Sequence, residues 1–245
     1  MSEFKVNTIT NKDGSYGPQV CGITTFGSSG LQLPSGPTEF RGGRGRGVIG
    51  GGYVAPSPAT GNVKTIDKIE ISTTGDATDF GDLAQTANLV GSGAASATRG
   101  IIAGGRDPNN KFNVIDFITI QSKGNGIKFG ELLTHEGGVG CSNSTRGIFA
   151  GGYTHPSIVN IITFITISTF GNDTDFGDLT AVRRGLAGTS SSTRAIFAGG
   201  QTPTIVNTID FITIASTGNA QDFGDLNSTK KNHAACSDVH GGIGD

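Results

Sequence analysis

One segment recurs four times along this chain with its parts always in the same order, and that repetition limits the fold more than any other feature. Each copy opens with an Arg and a short apolar run that ends in a Gly doublet: RGVIGGG at 46–52, RGIIAGG at 99–105, RGIFAGG at 146–152 and RAIFAGG at 194–200. A turn of variable length comes next, then a second apolar run: TIDKIEI at 65–71, VIDFITI at 114–120, IITFITI at 161–167 and TIDFITI at 208–214. A Gly-containing turn leads to DFGDL at 79–83, KFGEL at 128–132, DFGDL at 175–179 and DFGDL at 222–226. A stretch of small residues closes the copy, as in LVGSGAASA at 89–97 and GVGCSNS at 138–144. Phe80, Phe129, Phe176 and Phe223 are 49, 47 and 47 residues apart, and Arg46, Arg99, Arg146 and Arg194 are 53, 47 and 48 apart. The variation falls in the turn after the doublet, where a surface loop tolerates insertion.

The period and the local pattern predict strands. The apolar runs alternate in steps of two and are broken by Gly, which excludes helical repeats of similar length. In TIDFITI, Ile209, Phe211 and Thr213 fall on one face and Asp210, Ile212 and Ile214 on the other. Both faces are largely apolar, as in a strand buried on both sides. With 41 Gly, no Trp and 16% charged residues in 245, the composition suits short strands and tight turns. About four strands per 47 residues is the arithmetic of a propeller blade.

The Gly doublets 51–52, 104–105, 151–152 and 199–200 resemble the kelch family. So do the Ile-Asp pairs at 66–67, 115–116 and 209–210 and the aromatics Phe80, Phe129, Phe176 and Phe223. The chain departs from that pattern in having no Trp and in carrying Ile162-Thr163 in place of Ile-Asp in the third copy. The resemblance implies an all-β fold, a small β-propeller of four or five four-stranded blades. The repeats would run at about 46–98, 99–145, 146–193 and 194–245, within a domain at 41–245. Residues 1–40 do not match the repeat and read as an extended N-terminal attachment arm. Aligning Cys236 with Cys141 places Gly241-Gly242-Ile243 on Arg146-Gly147-Ile148, so the chain stops as a fifth copy begins. Either the terminal strand pairs with an N-terminal segment to close the ring, or a neighbouring subunit completes an open array. Closure within the chain is the expectation.

The arm, KVNTITNKDGSYGPQVCGITTFGSSGLQLPSGP, is similar to N-terminal attachment segments of structural proteins of tailed bacteriophages. Joined to Gly-rich kelch-like repeats, it also resembles structural proteins of marine phages. The resemblance implies a non-enzymatic component of a virion, tail-, fibre- or capsid-associated and made in the host cytoplasm. It would be held to other virion proteins by residues 1–40 and present a rigid propeller, as a homo-oligomer. The alternative is a carbohydrate- or receptor-binding module that meets a host-surface glycan through the loops after the doublets, at Tyr53, Arg106, Tyr153 and Gln201. The scarcity of aromatics for stacking on sugars weighs against it.

Catalytic and cofactor chemistry finds no support in the residues. Arg46, Arg99, Arg146 and Arg194, with Asp82, Glu131, Asp178 and Asp225, recur in every copy and read as structural Arg–carboxylate pairs. DFG at blade period, without the other kinase motifs, is accidental. The acids Asp76, Asp79, Asp173 and Asp175 lack EF-hand spacing, and they read as turn residues that bond their own backbone. Arg41, Arg44 and Arg46 form a single short Gly-Arg stretch without aromatics, too little for a nucleic-acid site. His135, His155, His233 and His240 stand beside no nucleophile motif. Cys21, Cys141 and Cys236 give no metal or disulfide spacing. No cofactor is expected. A net charge of −2 gives no field for nucleic acid, and no apolar run is long enough for a membrane helix.

Overall fold

A computed structural model describes residues 45–54, 61–71, 73–84, 92–106, 111–133, 138–154 and 156–237, without the side chains of Tyr53, Val54, Asn62, Arg106, Lys111 and Phe112. The arm at 1–40, Arg41, Arg44, Cys21, His135, His155, His240 and Gly241-Gly242-Ile243 lie outside the described residues. Every regular element described is a β-strand, and every pairing is antiparallel.

The first sheet and its side hairpin comprise β1 (Arg46–Gly50), β2 (Tyr53–Val54), β3 (Gly61–Asn62), β4 (Thr65–Glu70) and β5 (Thr78–Asp82), with β1-β4-β5 paired in that order and β2 paired with β3. The second is β6 (Ser92–Ala95), β7 (Arg99–Arg106), β8 (Lys111–Thr119) and β9 (Ile127–Glu131), a simple meander. The third has β10 (Val139–Ser142), β11 (Arg146–Ala150), the hairpin β12 (Tyr153–Thr154) and β13 (Ser157–Ile158), then β14 (Ile161–Thr166) and β15 (Thr174–Asp178), ordered β10-β11-β14-β15. The fourth is β16 (Ala187–Ser190), β17 (Arg194–Ala198), β18 (Thr208–Thr213) and β19 (Gln221–Asp225). The small-residue strand read as closing each copy is paired instead with the strand after it, β6 with β7 and β10 with β11. The second, third and fourth sheets therefore straddle the repeat bounds.

The sheets stack face to face in chain order, and the core lies between them. Ile66, Phe80 and Leu83 of the first sheet meet Ile118 of the second. Ile101, Ile115, Phe117 and Phe129 of the second meet Phe149, Ile165 and Ile167 of the third. Ile148, Ile162 and Phe176 of the third meet Phe197, Ile212 and Ile214 of the fourth. Period-two alternation sends successive residues to opposite faces, and both faces of the middle sheets are covered. The expectation that both sides of these strands are buried therefore holds for those sheets. Each large aliphatic or aromatic side chain buried this way contributes roughly 1.5–3 kcal/mol.

The two ends of the stack differ from its middle. Phe80, Phe129 and Phe176 are 0%, 4% and 2% exposed, whereas Phe223 at the same register is 55% exposed. Ile49 and Ile71, on the outer face of the first sheet, are 54% and 68% exposed. The closed ring expected from the repeat is not formed by the described residues, because no sheet covers either end face. Phe211, expected in the core, is only half-buried for the same reason.

Candidate functional site

The repeated residues converge on one construction, the joint between successive sheets. At its outer edge, the turn before each last strand reaches over the last strand of the preceding sheet. Gly124, Gly171 and Gly218 donate N–H bonds to the carbonyls of Phe80, Phe129 and Phe176 at 3.0, 3.1 and 2.7 Å. Two residues on, Gly126, Asp173 and Ala220 donate to the carbonyls of Asp82, Glu131 and Asp178. The Oδ1 atoms of Asn125, Asn172 and Asn219 each accept, at 3.1 Å, the N–H of Asp82, Glu131 and Asp178. The Gly of each FG-acid motif is what allows so close an approach. A Cβ on Gly81, Gly130 or Gly177 would stand 2.4, 2.0 or 2.5 Å from the backbone of the next sheet's turn.

A carboxylate secures the residue after each of the first three motifs. Asp116 Oδ2 accepts the N–H of Ala84 at 3.1 Å, and Asp210 Oδ2 accepts that of Thr180 at 3.0 Å. In the third copy, where Thr163 replaces Asp, Asp173 accepts the N–H of Leu133 at 3.0 Å. The departure from the Ile-Asp pattern is therefore compensated from a neighbouring turn. Burial raises the pKa of both Asp116 and Asp173, against the smaller lowering effect of these hydrogen bonds. Asp210 is fully buried against Arg183, whose guanidinium pairs with it and also donates to the carbonyls of Gly199 and Thr208.

The recurring Arg residues act differently from the expected Arg–carboxylate pairs. Arg99 and Arg146 lie over Phe117 and Phe164, 5.1 and 4.6 Å from the ring centroids. Each then donates across the joint to a carbonyl of the next sheet, Arg99 to Ile167 at 2.9 Å and Arg146 to Ile214 at 2.7 Å. Arg46 has Lys68 where the others have Phe. It pairs with Glu70 and donates to the carbonyls of Ile120 and Gln121. Arg194 stacks on Phe211 at 4.9 Å, and among the described residues no later sheet receives its donors. Two of the motif acids turn to lysines, Asp82 to Lys64 at 3.4 Å and Glu131 to Lys128 at 2.6 Å. Lys128 holds the exposed Glu131 carboxyl below its usual range.

Around the inner edge runs a cavity of about 520 Å³, lined by the first strands of the sheets at 93–95, 140–142 and 188–190, by 235–237, and by Arg46, Val48, Ile102 and Ile118. Its serines are joined to one another. Ser142 Oγ donates to the Ala95 carbonyl, Ser190 Oγ to that of Ser142, and Ser237 Oγ to that of Ser190, at 2.9, 2.8 and 2.9 Å. These strands approach so closely that a Cβ on Gly140 would stand 2.6 Å from the Gly93 carbonyl. Cys141 lies within this packing, and burial pushes its thiol up to about 12. Among the described residues no cluster of His, Cys, Asp and Glu could hold a metal.

The candidate loop residues share one rim, directly after the doublets, whose paired positive φ values (65° and 112° at Gly151 and Gly152) turn the chain outward. Tyr53 and Arg106 are placed there by their backbones in β2 and β7. The Tyr153 ring is covered by Arg184 at 5.5 Å, and Gln201 Oε1 accepts a bond from Lys231 at 2.7 Å. Sequence reasoning missed the Asn brace, the serine ladder and the Arg183–Asp210 pair. A Gly-Asn dipeptide at 124–125, 171–172 and 218–219 was the available signal for the first. Comparison of the chain with known families and with curated proteins gives no match.

Proposed function

We propose that the chain is a non-enzymatic structural component of a bacteriophage virion. In this reading residues 1–40 attach it to other virion proteins, and the four sheets are blades of a propeller-type platform. The observation that carries it is where the recurring polar groups go. Arginines, asparagines, serines and buried aspartates at blade period are used in bonds between sheets, as suits a rigid passive scaffold. The glycan-reading alternative draws less support, since Tyr153 and Gln201 are already engaged at the rim.

The test is incorporation into particles. A reporter domain fused to residues 1–40 is expected in purified phage particles, and the chain lacking those residues is expected to be absent from them. Incorporation of the truncated chain, or absence of the full chain from particles, contradicts the proposal. Retention on a glycan array by the full chain would favour the alternative.

A further inference from the structure

The joint between sheets is made three times, and its two halves are left over at the two ends of the stack. The fourth sheet presents the half that precedes a joint. Ile196, Ile209 and Phe211 are partly uncovered, Phe223 is 55% exposed, and Arg194 is stacked for donation. Nothing lies within 4 Å of a Cβ built on Gly224, where Gly81, Gly130 and Gly177 each meet a turn.

The first sheet presents the half that comes after a joint. Its turn carries Gly75, Asp76 and Ala77, at the register where the others carry Gly-Asn-Gly, Gly-Asn-Asp and Gly-Asn-Ala. Ile49 and Ile71, on the sheet's outer face, are more than half exposed. Asp67, in the place of Asp116 and Asp210, is exposed.

The leftovers match group for group. By the register of the three made joints, Arg194 would donate to the Ile71 carbonyl, as Arg99 and Arg146 do to Ile167 and Ile214. The N–H of Asp225 would meet the Asp76 carboxylate, as its counterparts meet Asn Oδ1. The N–H of Asn227 would meet Asp67, as those of Ala84 and Thr180 meet Asp116 and Asp210. The inner edge agrees. Ser237, bonded to Ser190, extends the serine ladder one step beyond the fourth sheet, and the first sheet has three strands among the described residues where the others have four.

We propose that a second copy of this chain occupies this joint, its first sheet seated on the fourth sheet of its neighbour. Three joints with the same contacts set the step between sheets, and after three steps both end faces still open to solvent. Among the described residues no hydrogen bond joins the first sheet to the fourth. The interface is heterologous, so it propagates into a ring or a filament. It uses none of residues 1–40, so its success or failure is independent of the arm's role.

The test uses two substitutions at exposed positions, Phe223→Arg on the fourth sheet and Ile71→Arg on the first, with folding checked by β-sheet circular dichroism. Light scattering is expected to give a mass of several chains for the wild type, one chain for either variant alone, and two chains for an equal mixture. The mixture pairs because each variant keeps the face the other has lost. A single-chain mass for the wild type, or continued association of either variant by itself, overturns the proposal.

Discussion

Asp116 shows how one buried carboxyl ties two sheets together at a cost. Its Oδ2 holds the Ala84 N–H, while its Oδ1 is buried without a hydrogen-bond partner. Burial raises its pKa, so the folded state binds the proton more tightly than the unfolded chain does. The stability linked to this group is then fully present below the ordinary carboxylate pKa and is lost as pH rises through the raised folded value. Asp116→Asn keeps an acceptor for Ala84 and removes the charge. It is expected to raise the denaturation midpoint at neutral pH, with the gain shrinking as the solution is acidified. A midpoint lowered equally at every pH would contradict this reading. Asp210, at the same register, meets the buried Arg183 instead, and removing one partner of such a pair costs about 3–5 kcal/mol.

At the scale of the element, the FG-acid-Leu strand is the outer seam of each joint, and its Gly has a measurable purpose. Gly177 and Gly224 have similar φ values, 146° and 137°, so an Ala at either suffers comparable backbone strain. They differ in their neighbours: a Cβ on Gly177 would meet the Gly218 backbone at 2.5 Å, and one on Gly224 meets nothing. Gly177→Ala should therefore destabilise by about 1–3 kcal/mol more than Gly224→Ala, the usual range for overpacking. Urea titration of the two variants, with light scattering to confirm single chains, checks the difference, and equal losses would sink it. The strands themselves were legible in the sequence, because period-two alternation and Gly breaks report directly on local geometry. The partners of the Arg residues were not. Equal spacing says that Arg99 and Arg146 occupy equivalent places, but which acceptor lies across the joint depends on how the sheets cross. The Phe under each guanidinium and the carbonyl beyond it come from two different sheets.

At the scale of the molecule, the repeat makes the stack regular and leaves its ends unsatisfied. Repeat arrays hold together through nearest-neighbour joints, so their terminal units need capping or a partner. Phe223 and Phe176 occupy the same place in nearly the same sequence, DFGDL, yet one is exposed and the other buried. No local pattern could distinguish them, because only Phe176 has a further sheet packed over it. Closure was the sequence expectation for that reason. The open stack rests on one joint, made three times and left unmade at both ends of each chain. Its sharpest test is NMR-detected hydrogen exchange, at a dilution where light scattering shows single chains. The amides of Asp82, Glu131 and Asp178, braced by asparagines, should be protected, and that of Asp225 should exchange much faster. Ala77 should likewise exchange faster than Gly126, Asp173 and Ala220. Equal protection of Asp225 and its three counterparts in the single chain would mean that the first and fourth sheets already meet within one molecule, and would contradict the open stack.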